Sequence, residues 1–340
     1  MRPSGRDEMT DAAQAAGGEG LRAKRPRLAG LIVGLVALAG VIAFVFHVGD
    51  IGAFAQKASE AEPQPIALAI LAQVFAFLAQ AFVWALVLGK HDASVSRVAL
   101  VNLSIGKLFA DQAVPSAGIS GGVFLIHALS RRGVSAAAAF TTFVFGAGSS
   151  IAAFLVFASG ALAYVTLAGG AVKGLSINIT DMHFIMIVSI LAMLVIAAFY
   201  AVSSGATPVR RQTLKKAGEM ARSALRMVIV ERGLFAQCVL LQGAARLFDC
   251  LTLWFVFRAI GDDISFLASV VAVSLAALAA TIAPTPMGLG SFEAGMTAAL
   301  AALGLGVEPA LAGGLIYRGL SLGLPLAVGF FIVQRELLRK

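Results

Sequence analysis

Pro284-Thr285-Pro286-Met287-Gly288-Leu289-Gly290-Ser291-Phe292-Glu293 stands between two apolar runs, where a membrane-spanning helix would be expected to continue. It cannot continue as one. Two prolines remove backbone donors, and two glycines remove the side chains that hold a backbone in the helical region. Pro115-Ser116-Ala117-Gly118-Ile119-Ser120-Gly121-Gly122 repeats this grammar about 170 residues earlier. Non-helical backbone at membrane depth survives only where protein buries it or where it lines a polar cavity. Paired interruptions of this kind mark the binding region of many transporters.

The flanking runs are membrane segments because 59% of the 340 residues are hydrophobic and only 13% are charged, which excludes a soluble globular domain. The net charge of +8 does not point to nucleic acid, because in a membrane protein the basic residues report topology. Cys238 and Cys250 share one apolar run and read as small core residues.

In chain order, residues 1–27 form a polar, disordered cytoplasmic tail whose basic residues precede a first span, Leu28 to Phe46. Pro63 and Pro65 introduce a second span over 66–88. Two short arms, 98–110 and 118–129, enclose the first interruption. A third span lies within 135–167, long enough to tilt or to bend near Gly146 to Ser150, and a fourth covers 182–202. The loop 203–232 is the most basic and therefore cytoplasmic, with a spacing that allows an amphipathic helix on anionic headgroups. Span five covers 234–257, the second pair of arms 266–282 and 292–303, and the last span 311–333.

Each arm is shorter than the roughly 20 residues a crossing needs, so both two-armed units read as re-entrant hairpins. The expected fold is an all-α polytopic membrane protein: one transmembrane domain over 28–335 with six full spans, two re-entrant helical hairpins and both termini cytoplasmic. Lys57 and Lys173 are the basic residues that fall clearly on the far side. Three full spans separate the two units, so the blocks 66–168 and 234–335 form inverted repeats, an arrangement that places a substrate path at their interface.

Six charged residues fall within the apolar segments: Lys107, Asp111, Arg246, Asp249, Glu293 and Arg318. A charge at the bilayer centre costs about 3 kcal/mol or more unless paired or hydrated, so each is a candidate for the path. Lys107 and Asp111 are four apart and Arg246 and Asp249 three apart, so self-pairing on one helix face competes with a functional role. Glu293 has no local partner. It is free to meet a helix N-terminus, or a distant cation such as Arg318 or Lys107. Pro115, Gly118, Gly121, Gly122, Pro284, Gly288 and Gly290 complete the candidate path through the two interruptions. The scattered histidines, His127 included, make no metal spacing. No phosphate-binding Gly-Lys-Ser/Thr signature and no nucleophile elbow occur, so neither ATP use, enzyme chemistry, metal nor cofactor is expected.

Ala244-Ala245-Arg246-Leu247-Phe248-Asp249, the segment Ala259 to Phe266, the block Pro284 to Ala294 and Tyr317-Arg318-Gly319 together resemble the flippase-like transmembrane domain of lysylphosphatidylglycerol synthetases and their stand-alone relatives, some of them associated with hopanoid lipids. Asn102 to Lys107, Pro115 to Gly122 and Arg131-Arg132-Gly133-Val134-Ser135 match the family's earlier block. The resemblance covers most of 30–335 and implies movement of a polar lipid between leaflets, with Glu293 and Arg318 at positions the family usually keeps charged. The chain departs from it at Val123 and Ile126, where relatives often carry an acidic residue and an arginine. No soluble aminoacyl-transferase domain follows the last span, so synthesis of aminoacyl lipids is not expected.

The leading expectation is a lipid translocator of a bacterial inner membrane that does not use ATP and acts on membrane lipids with anionic or otherwise polar headgroups. A proton-coupled transporter of a small solute is the second reading. The third is a non-transporting partner of lipid-synthesising enzymes that docks through 203–232. A homo-oligomer remains open, and nucleic acid is not expected as a partner.

Overall fold

The computed structural model describes residues 60–113, 119–167, 219, 222–223, 226–282 and 288–338. The first and fourth expected spans, most of the basic loop, and Pro115, Gly118 and Pro284 lie outside the described residues. Among the described residues all regular structure is helical: α1 Pro63–Gly89, α2 Arg97–Ala113, α3 Ile119–Ser130, α4 Ala136–Leu167, α5 Arg232–Ala259, α6 Phe266–Ile282, α7 Ser291–Ala302, α8 Val307–Arg318, a π-helical turn Gly319–Gly323, and α9 Leu324–Leu338. Among the described residues four segments are long and apolar enough to cross a membrane: α1, α4, α5 and the composite Val307–Glu336. The protein is therefore a multi-pass membrane protein.

The second half repeats the first. Adding about 170 to the bounds of α1, α2, α3 and α4 gives 233–259, 267–283, 289–300 and 306–337, which match α5, α6, α7 and the composite α8–α9 to within two residues. The helix ends repeat as well. Asp92 and Gly133 in the first half, and Gly261 and Gly304 in the second, take positive φ just past a helix C-terminus. In each case the next residue's N–H closes back onto the last turn: Ala93 to Leu88, Val134 to Leu129, Asp262 to Phe257, and Leu305 to Leu300. A left-handed residue satisfies the last carbonyls in this way.

The counterpart helices α1 and α5 pack extensively against each other and run in opposite directions. The N–H of Glu62, before α1, donates to the carbonyl of Ala259 at the end of α5 (2.8 Å). Thr252 donates to the carbonyl of Ala69 (3.3 Å), Gln73 to Asp249 (3.3 Å) and Gln242 to Gln80 (3.1 Å). At the far end Lys90 pairs with Glu231 (3.0 Å). As the residue number falls along one helix it rises along the other. The centre of the seam lies where the rings of Phe75 and Phe248 stack with centroids 5.3 Å apart.

Two packed cores form, one drawn mostly from each half. Trp84, Leu100, Leu103, Leu125 and Phe145 lead one, and Phe257, Met296, Leu300 and Tyr317 lead the other. The free, buried Cys238 and Cys250 join the first and second cores respectively, packing as small side chains. Glycines let helices approach: a Cβ on Gly146 would meet the indole of Trp84 at 2.9 Å, and one on Gly329 would meet Phe109 at 2.7 Å.

Two expectations change. α4 runs as one helix through Gly146 to Ser150, with Ser149 donating back to the carbonyl of Phe145 (2.6 Å) instead of opening the backbone. The last span begins earlier than residue 311 and is interrupted directly after Arg318 by the π-helical turn, a distortion that frequently accompanies functional sites.

Candidate functional site: a charged cavity at the α1–α5 seam

A cavity of about 280 Å³ opens beside the centre of the seam, lined by residues of α1, α2, α4, α5, α7, α8 and the π-helical turn. Five of the six charged residues picked out in the sequence line it: Lys107, Asp111, Arg246, Asp249 and Arg318. Glu293 stands directly behind, 4% exposed, bonded to Arg318.

In the first half, Lys107 and Asp111 occupy successive turns of α2 and pair at 2.6 Å. The other carboxylate oxygen of Asp111 accepts the N–H of Gly121 in the first turn of α3 (2.8 Å), so the side chain also serves one of the unpaired amides at a helix start. Ser120 reinforces the junction by donating to the carbonyl of Ala110 (2.8 Å). The fit requires a glycine at 121, because a Cβ there would fall onto the Asp111 carboxylate.

In the second half, Gly288 and Gly290 both adopt left-handed φ, +66° and +82°, conformations that cost a residue with a Cβ about 1–2 kcal/mol. The resulting turn starts α7. Glu293 reaches back one turn to accept the N–H of Gly290 (2.7 Å), half of a capping box whose other half glycine cannot supply. Its second oxygen takes the Nε of Arg318 at 2.8 Å. The Arg318 guanidinium lies 4.5 Å from the centre of the Phe292 ring, which itself stacks on Tyr317 at 6.1 Å with the planes 8° apart.

α5 contributes Gln242, Ala245, Arg246 and Asp249 to the cavity, the i, i+3, i+4, i+7 face of one helix. Arg246 and Asp249 share that face, yet neither forms an ion pair within 4.0 Å among the described residues. Arg246 instead lies 5.9 Å from the centre of the Phe154 ring. The direct pair that their spacing allows does not form. Nor does Glu293 meet Lys107, which is taken by Asp111.

Of the described glycines predicted for the path, Gly121, Gly122, Gly288 and Gly290, none is among the cavity-lining residues. Gly121, Gly288 and Gly290 shape the helix starts behind it, and Gly122 packs against Phe143 of α4. Charge counting also misses part of the cavity wall: Gln73, Gln80 and Gln242 from the long helices, with Ser104, Ser150 and Ser321. Amides inside apolar spans were the available signal, since a buried polar side chain in a membrane needs a partner for the same reason a charge does.

A bundle of apolar helices with oppositely charged side chains gathered on one cavity defines a polytopic membrane protein. The model of the lysylphosphatidylglycerol synthase TM region matches residues 30–329, and the chain belongs to that family. A search of curated proteins finds no match.

Proposed function

We propose that the protein moves a polar lipid between the leaflets of a bacterial inner membrane without ATP, the headgroup passing through the α1–α5 cavity while the acyl chains remain in the bilayer. The observation that carries this reading is the convergence of Lys107, Arg246 and Arg318 with Asp111 and Asp249 on one cavity. A charge in an apolar segment is costly unless paired, and Arg246 and Asp249 have no ion-pair partner among the described residues, a role that a polar cargo would fill. Family membership agrees with a role in membrane lipid biology.

The two-armed units α2–α3 and α6–α7 act in this reading as re-entrant hairpins. Helices of 12 residues, α3 and α7, reach about 18 Å, short of the ~30 Å hydrocarbon thickness. With six full spans and both termini cytoplasmic, the recurrence of helix bounds and the antiparallel course of α1 and α5 support inverted repeats. Alternating access then exchanges the roles of the two hairpins. Arg318, Arg246 and Lys107 attract the anionic part of the headgroup, and Asp111, Asp249 and Glu293 balance them. The protein performs no covalent chemistry on the lipid.

The test is a leaflet-exchange assay in proteoliposomes. Arg318→Ala and Glu293→Gln are expected to abolish lipid movement while the protein still elutes as a folded species. Wild-type exchange rates in both variants overturn the proposal.

A further inference from the structure

The lipid-carrying reading leaves the headgroup open, and the distribution of bonds around the cavity addresses it. Two of the cavity's cations are already engaged, Lys107 by Asp111 and Arg318 by Glu293. Arg246 and Asp249 are not so matched. Asp249 accepts one long hydrogen bond, 3.3 Å, from the amide of Gln73. That bond uses the amide nitrogen, and Gln73 Oε1 is left without a hydrogen-bond partner in a residue only 8% exposed. A buried acceptor without a donor is rare and unfavourable. Gln73 lines the same cavity as Arg246 and Asp249, so its covered Oε1 lies at the cavity wall.

We propose, on the basis of the lipid-carrying reading, that the cavity selects a headgroup in which a phosphate and a primary ammonium stand side by side, as in phosphoethanolamine. The phosphate meets Arg246, and the ammonium sits between the Asp249 carboxylate and Gln73 Oε1. Three residues apart on one helix face, the two charged side chains start about 5–6 Å from each other. That separation suits a compact zwitterion whose charges are joined by two carbons. An amine at the far end of a longer headgroup would overshoot Asp249 if its phosphate were held at Arg246. A primary ammonium brings three donors, enough to serve both the carboxylate and the orphan amide oxygen. A quaternary ammonium has none, so phosphocholine leaves Gln73 unsatisfied. Phosphoglycerol offers hydroxyl donors to Gln73 but no charge to Asp249.

Calorimetric titration of the full chain in detergent compares O-phosphoethanolamine, phosphocholine and glycerol 3-phosphate. O-phosphoethanolamine is expected to bind about ten-fold more tightly than either of the others, the effect of a well-made charged hydrogen bond. Asp249→Asn, nearly isosteric, is expected to erase that preference. Gln73→Met should weaken O-phosphoethanolamine and leave phosphocholine unchanged, and Arg246→Gln should weaken all three. Equal affinities in the wild type, or a preference that survives Asp249→Asn, overturn the proposal. The comparison on the wild type needs no variant to fold. The source of the moiety is read separately, in proteoliposomes containing phosphatidylethanolamine with free O-phosphoethanolamine outside. Exchange of the lipid supports the lipid as cargo. Uptake of the free compound with no lipid movement keeps the zwitterion site and overturns lipid translocation instead.

Discussion

The two two-armed units solve one problem with different wiring. In both, a carboxylate accepts a backbone N–H at the start of the second arm and carries a basic partner to the cavity: Asp111 with Gly121 and Lys107, and Glu293 with Gly290 and Arg318. In the first unit the partner is one turn away on the same helix, and the pair keeps some exposure, 27% and 19% for the two side chains. In the second the partner comes from α8, 25 residues later, and exposures fall to 14% and 4%. The local pair supplies charge to the cavity. The distant pair also ties α7 to α8, so it carries tertiary structure as well as charge.

That contrast is exposed to direct challenge. Glu293→Ala leaves a nearly buried Arg318 without its carboxylate and uncaps α7, which should destabilise the protein by about 3–5 kcal/mol. The midpoint of thermal unfolding in detergent measures it, and a smaller loss than for Asp111→Ala would break the comparison. Gly121→Ala drives a methyl group into the Asp111 carboxylate, an overpacking cost of about 1–3 kcal/mol. The double change Gly121→Ala with Asp111→Ala should recover part of it, because the group in the way is gone. Asp111→Ala alone should cost about 0.5–2 kcal/mol, the range for losing a helix cap. Lys107→Met should change stability by less than about 1 kcal/mol, and any loss of lipid exchange in that variant then reports its charge in the cavity. A stability loss for Lys107→Met equal to that for Glu293→Ala would show the two units to be wired alike.

Much of this arrangement is readable from the chain itself, for definite reasons. Proline and glycine act on their own backbone, so the short arms α6 and α7 follow from local chemistry; α1 starts at a proline, and Ser96 and Ser265 accept backbone N–H groups at the starts of α2 and α6 in the same local way. Charges stand out in apolar segments for an equally local reason, and five of six line the cavity. Pairing is a different matter. Spacing permits Arg246 with Asp249, and Lys107 with either Asp111 or Glu293, and only the packing of α4, α5 and α8 decides among them. The break after Arg318 is hidden because Gly319 and Gly323 sit in a run that otherwise reads as continuous helix. Gln73 is hidden because it is uncharged, although its position opposite Asp249 depends on α1 and α5 running antiparallel.

That antiparallel seam has a mechanical consequence. α1 and α5 are fastened to each other at both tips, through Glu62 with Ala259 and Lys90 with Glu231, and again at the middle through Gln73 with Asp249 and Gln80 with Gln242. A pair of rods joined at so many points behaves as a single axle. It fixes one wall of the cavity, so in the proposed translocation any rearrangement falls to the short arms: a crosslink placed along the seam should leave lipid exchange intact, where one between an arm and the seam should abolish it.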